Sequence, residues 1–193
     1  MKKLLITAFE PFGGKGYNPS SAMINEIKED RYTVKRLLPT SYAGAAMALK
    51  KALAEEKPDA VILTGQASGR KEICLEFCAL NIKDAGIPDN DGEQASGESV
   101  LSGAPNALFT KLDLASAAAC IRAEGLPCRV SYHAGTFVCN STYYHLLFSG
   151  IPGVFMHIPD DEFSKPDAKA PFLPLESSVK ALETLIQVLS EKC

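Results

Sequence analysis

Apolar positions along the chain switch repeatedly between a period of two and a period near four. Lys3-Leu4-Leu5-Ile6-Thr7-Ala8 is a short apolar run of the kind that forms a strand buried on both faces. It is closed by Glu10-Pro11-Phe12-Gly13-Gly14, a glycine-rich turn. Asn18-Pro19-Ser20-Ser21 then supplies cap candidates with proline at a tolerated early position, and Ala22, Met23 and Ile27 give a modest helical stripe. Residues 32–38 read as strand, the alanine-rich residues 43–56 as helix and residues 59–65 as another buried strand. From Ile73 to Asn81 the pattern alternates, with Ile73, Leu75, Phe77 and Ala79 on one face and Cys74, Glu76, Cys78 and Leu80 on the other, which predicts one continuous strand. Residues 84–103 are rich in glycine, aspartate, proline and serine and predict a long loop with room for a hairpin. Helix (112–124), strand (129–132), helix (139–148) and strand (154–158) follow, then a polar, proline-broken segment (160–174) and an amphipathic helix (175–189). Strands and helices alternating with short connections predict an α/β sandwich around a largely parallel sheet, with sites at the carboxyl ends of strands.

Composition narrows the function classes. The 193 residues are 46% apolar and 22% charged, ordinary globular usage that suits a single domain over residues 1–193. Twenty basic against 23 acidic residues give a net charge of −3, with no footprint for nucleic acid or an anionic membrane. No apolar run approaches a membrane span, and the run after Met1-Lys2-Lys3 is too short for a signal-peptide core, so a cytoplasmic protein is expected. The six cysteines are scattered and expected to be reduced, and the three histidines, His133, His145 and His157, form no zinc pattern with them. Neither a metal nor an organic cofactor is expected.

The strongest local chemistry lies in Gly135-Thr136-Phe137-Val138-Cys139-Asn140, where a glycine turn hands over to a helix. Free amides and the positive end of the helix dipole favour a thiolate at Cys139 and can hold an oxyanion. His157 ends a buried strand just before a loop and is a candidate base for that thiol. Glu76, a carboxylate in an apolar strand, needs a partner. Two readings stand: a structural ion pair with Arg70 or Lys71, or a hydrogen bond that orients His157 and favours its imidazolium form. Phe9 and Phe12 flank a rigid turn and suit either a flat neutral ring or the core beneath a loop.

Five separated motifs, in order along most of the chain, resemble the pyrrolidone-carboxylate peptidases (pyroglutamyl peptidase I), cysteine peptidases that remove an amino-terminal pyroglutamyl residue. They are Phe9 to Gly14 with Asn18-Pro19-Ser20, Gly65-Gln66-Ala67-Ser68-Gly69-Arg70, Ile87-Pro88-Asp89-Asn90, Ala134 to Asn140, and His157-Ile158-Pro159. The resemblance implies a three-layer α/β/α sandwich with a twisted, mostly parallel mixed sheet. It also implies Cys139 as nucleophile, His157 as acid/base and Glu76 as the orienting acid. Phe9, Phe12 and Phe137 would sandwich the lactam ring, with backbone contacts from Gln66 and Val138. The implied partners are peptides with amino-terminal pyroglutamate and further copies of the chain, in a homodimer or homotetramer. One position departs from the family: Gly86 stands where similar proteins usually carry arginine before Ile-Pro-Asp-Asn. Ala8 and Ser68 are milder departures. The missing cation leaves an alternative open, a relative that binds pyroglutamyl termini without cleaving them. A nucleoside phosphorylase on a similar architecture is a further rival, opposed by the lack of a basic phosphate-binding cluster.

Overall fold

The computed structural model describes residues 2–190. Its central sheet has six strands in the order β2-β1-β3-β10-β4-β9. These are β1 (Leu4–Phe9), β2 (Thr33–Leu38), β3 (Ala60–Gln66), β4 (Ile73–Glu76), β9 (Cys128–Ser131) and β10 (Gly153–Ile158). The first four in space are parallel, β4 runs antiparallel to β10, and β9 runs parallel to β4. The sheet is therefore mixed and mostly parallel, and β3 and β10 end side by side near its centre.

Strict alternation along the strands divides the core into two layers. Leu4, Ile6, Ile62, Val154 and Met156 face α1 (Pro19–Glu26), α3 (Leu114–Ala123) and α5 (Leu175–Ser190). Leu5, Phe9, Val61, Leu63 and Phe155 face α2 (Tyr42–Glu56) and α4 (Val138–Phe148). Strands buried on both faces have no polar face to read, hence their near-continuous apolar sequences. Asn18 caps α1 by accepting from Ser20 N at 2.9 Å, with Pro19 as the first helical residue, as the sequence predicts.

One expectation fails. The segment 73–81 is not one strand: β4 stops at Glu76, and β5 (Cys78–Leu80) pairs instead with β8 (Ala107–Phe109) in a separate two-stranded sheet. Phe77 marks the break, its amide bonding Ser131 O at 2.6 Å and its carbonyl accepting from Thr110 N at 3.1 Å. Ile73 and Leu75 consequently lie in one core layer and Ala79 in the other. An unbroken strand would keep all three on one face. The long loop does carry a short antiparallel pair, β6 (Lys83–Asp84) with β7 (Ser96–Glu98).

Candidate active site

The carboxyl ends of β1, β3 and β10 and the start of α4 open on a cavity of about 460 Å³, lined by Phe9, Phe12, Gln66, Phe137, Cys139 and His157 among others. That volume suits a small ligand. Each wall is held by hydrogen bonds that reach far along the chain. The turn after β1 needs left-handed backbone at Gly13 and Gly14 (φ +63° and +73°), which glycine adopts without strain. Its Glu10 carbonyl accepts from Asn18 Nδ2 (3.2 Å) and Thr40 Oγ1 (2.6 Å), and its Pro11 carbonyl from Asn90 Nδ2 (2.9 Å). The neighbouring Asp89 accepts from the Tyr42 amide at 2.9 Å, capping α2 where Ser41 makes no side-chain cap bond. The Ile87–Asn90 motif is thus a clip that ties the aromatic turn to α2.

Cys139 is the second residue of α4, and the helix start is anchored by its neighbour. The buried Asn140 amide accepts from Leu80 N (2.8 Å) and donates to Leu80 O (2.8 Å) and Ile82 O (3.0 Å). Cys139 Sγ lies over Gly65, where a Cβ would stand 3.1 Å from the sulfur and 2.9 Å from the Phe155 ring. Gly65 is the cross-strand partner of His157 in the β3–β10 ladder, so thiol and imidazole share one small area of the sheet surface. Gly65→Ala should therefore displace the sulfur and lower kcat by about 10- to 100-fold, and its clash with the buried Phe155 ring should also lower the melting temperature; a folded alanine variant of unchanged kcat would show that the close approach is idle.

His157 is buried and its Nδ1–H donates to Glu76 Oε1 at 2.8 Å. The same oxygen accepts from Arg70 Nη1 at 2.8 Å, so Glu76 has both of the expected partners, the cation and the histidine, but the imidazolium form expected of His157 is opposed by its burial. Tyr143 OH donates to the Glu76 carbonyl at 2.9 Å and fixes its backbone to α4. Burial alone would raise the Glu76 carboxyl, but hydrogen bonds from His157, Ser131 and Arg70 hold it below its ordinary value. Burial pushes His157 below its ordinary 6.5, against the pull of Glu76. The pair is therefore a carboxylate and a neutral imidazole whose Nε2 is left as an acceptor. Removing the cation should loosen this network: Arg70→Met is expected to lower kcat about tenfold, and Arg70→Lys to recover part of the loss. Equal activity of all three forms in a steady-state assay would contradict that role.

The thiol differs from expectation. Burial pushes Cys139 up to about 12, the Glu76 charge adding to the effect, while Arg70 and the backbone amide only partly oppose it. Cys139 is half-buried, and the desolvation of a thiolate there opposes the helix-start effect, which favours the neutral thiol over the preformed thiolate expected from its helix position. His133 and His145 are not among the residues lining this cavity.

The aromatic wall consists of Phe12 and Phe137, ring centroids 6.1 Å apart, with Tyr42 edge-on behind Phe137 at 5.8 Å. Phe9 serves both of its readings, stacking on Phe155 at 6.3 Å within the core while lining the cavity. Val138 differs from the rest: its side chain is fully buried in the α2/α4 core, leaving only its backbone beside the site. Gln66 is held by Asp160, to which its Nε2 donates at 2.5 Å, and Ser68 Oγ donates to the same carboxylate oxygen at 2.8 Å. Asp160, Asn140, Asp89 and Thr40 are site-building residues whose roles the sequence alone does not reveal. Gly86 lies on the rim with open space around it, and Arg70 is the cation that lines the cavity. Among the described residues no cluster of His, Cys, Asp and Glu could hold a metal ion, and no helix is long and apolar enough to cross a membrane.

Comparison with known proteins agrees with this architecture. The pyroglutamyl peptidase family profile matches residues 2–192. The pyrrolidone-carboxylate peptidase of Thermococcus onnurineus is 38% identical over 194 residues, covering 96% of this chain and 97% of its own. That of Erwinia tasmaniensis is 41% identical over 199 residues, covering 97% of this chain and 92% of its own. The crystal structure of Bacillus amyloliquefaciens pyroglutamyl peptidase I superposes with a TM-score of 0.92 at 37% identity, covering 96% of this chain and 95% of that one. Sequence and fold agree over nearly the whole length, and the chain belongs to the pyroglutamyl peptidase family.

Proposed function

We propose that this protein is a cysteine omega-peptidase that hydrolyses the bond after an amino-terminal pyroglutamyl residue, with Cys139 as nucleophile, His157 as acid/base and Glu76 orienting the imidazole. The observation that carries the reading is the 2.8 Å bond from His157 Nδ1 to Glu76, which leaves Nε2 free to act as base beside the Cys139 thiol. As the scissile carbonyl arrives, His157 Nε2 takes the Sγ proton and the sulfur adds to the carbonyl carbon. The oxyanion forms next to the amides at the start of α4. Collapse of this intermediate breaks the C–N bond, and the imidazolium gives its proton to the leaving amine. Water, deprotonated by His157, then hydrolyses the thioester and restores the thiol.

Specificity follows from what the cavity lacks. A lactam has no ammonium group, so aromatic faces from Phe9, Phe12 and Phe137 suffice to hold it, with backbone contacts from Gln66 and Val138. A charged amino terminus would lose its hydration on the cavity floor, where the lining side chains Phe9, Gln66 and His157 carry no negative charge. We also infer a cytoplasmic homo-oligomer; the free thiols Cys74, Cys78, Cys120 and Cys128 suit a reducing compartment. The test is release of fluorophore from a pyroglutamyl amide. Turnover supports the peptidase, whereas thermal stabilisation by pyroglutamate without release would favour a non-catalytic binder.

The protonation states set a pH dependence. Because the neutral imidazole is the base and its pKa lies below 6.5, kcat/KM should be flat from pH 7 upward and fall only as pH drops through that depressed value. Alkylation of Cys139 by iodoacetamide at pH 7 should be slower than that of the exposed Cys120, and should accelerate toward high pH. Alkylation of Cys139 that is fast and equal at pH 6 and pH 8 would instead indicate a preformed thiolate.

A further inference from the structure

Pyroglutamate is uncharged, so any electrostatic preference of this site must act on the residues that follow it. The floor of the cavity is buried, with Phe9, Gln66, Ala134 and His157 nearly inaccessible, whereas Asp84, Gly86 and Ile87 on the rim are exposed. The downstream peptide must leave past this rim.

Its charge is one-sided. Among the described residues, Arg70 and Asp84 are the only lysine, arginine, aspartate or glutamate residues lining the cavity, and Arg70 is committed to the buried Glu76 at 2.8 Å. Lys83, which precedes Asp84, is held by Glu93 at 2.7 Å and Glu98 at 3.3 Å and sits over the Tyr42 ring. Asp84 makes no ion pair with any described residue. Its backbone is nevertheless fixed, because Asp84 N donates to Thr136 O at 3.0 Å and Thr136 Oγ1 donates to Asp84 O at 2.8 Å. Thr136 lies three residues before Cys139, so the main chain that carries Asp84 is tied to the segment leading into the nucleophile. We propose that Asp84 forms, with Gly86 and Ile87, a subsite for the residue after pyroglutamate that favours a cationic side chain and disfavours an acidic one. This deepens the peptidase reading and rests on it.

The test compares kcat/KM for three short peptides that begin pyroglutamyl-lysyl, pyroglutamyl-alanyl and pyroglutamyl-glutamyl. An exposed carboxylate meeting a cation in near-aqueous surroundings should raise the lysyl value about three- to tenfold over the alanyl, and lower the glutamyl value by a similar factor. The spread should shrink as ionic strength rises, since surface charges are screened. Asp84→Asn should remove the spread, and Gly86→Arg, which has open space for a side chain, should reduce or invert it. Equal values for the three peptides would overturn the subsite while leaving the peptidase intact. A spread that survives Asp84→Asn would also overturn it. Failure to cleave any of the three would remove the peptidase reading and the subsite with it.

Discussion

Cys139→Ala should lower kcat/KM on a pyroglutamyl amide by about 10,000-fold or more while leaving the fold and the melting temperature nearly unchanged. No other described group is placed to substitute. Cys74 also lies near His157, as its cross-strand partner in the β10–β4 pairing, but it does not line the cavity and burial raises its thiol. Loss of a covalent nucleophile removes the two-step route itself, so the residual rate reflects binding and oxyanion stabilisation alone. The same variant should still bind pyroglutamate, because the aromatic faces and the Gln66 segment are untouched. Retention of activity within about tenfold would contradict nucleophilic catalysis at this position.

Glu76→Gln tests the other end of the relay. The substituted amide can donate its own N–H to His157 Nδ1 and so stabilise the opposite tautomer, in which Nε2 carries a proton and cannot accept one from Cys139. A loss of kcat on the order of 1,000- to 10,000-fold is expected, with KM changed little because Glu76 does not line the cavity. The substitution also strands Arg70 beside a neutral group, at a cost of about 3 kcal/mol, toward the low end for a broken buried pair because Arg70 is partly exposed. The decisive readout is the kcat of the folded fraction, verified by circular dichroism at the assay temperature. A folded Glu76→Gln protein with near-normal kcat would reduce Glu76 to a structural ion-pair partner.

Much of the architecture was legible in the sequence because buried strands and helices carry different periods. The boundaries of β1, β3, β10, α2 and α4 each lie within a residue or two of those expected. The break at Phe77 was not legible: the alternation from Ile73 to Leu80 runs straight through it, and only the tertiary partners, Ser131 on one side and Thr110 on the other, divide the segment. For the site, Cys139, His157 and Glu76 stood out as a thiol at a helix start, a histidine at a strand end and an acid among apolar residues. Their company did not. Asn140, Asp89, Asn90 and Thr40 bond to groups between 30 and 79 residues away, and no local pattern encodes such a pairing. The electrostatics of the thiol are illegible for a related reason: helix position can be read from sequence, but the desolvation that pushes Cys139 up depends on its tertiary surroundings.

Acid quenching during steady-state turnover, followed by peptide mapping, tests the covalent account most directly. A pyroglutamyl thioester confined to the peptide that contains Cys139, and absent from His157→Ala treated in the same way, is the predicted result. Rapid turnover with no acyl group on Cys139, or with the acyl group on another cysteine, would contradict it.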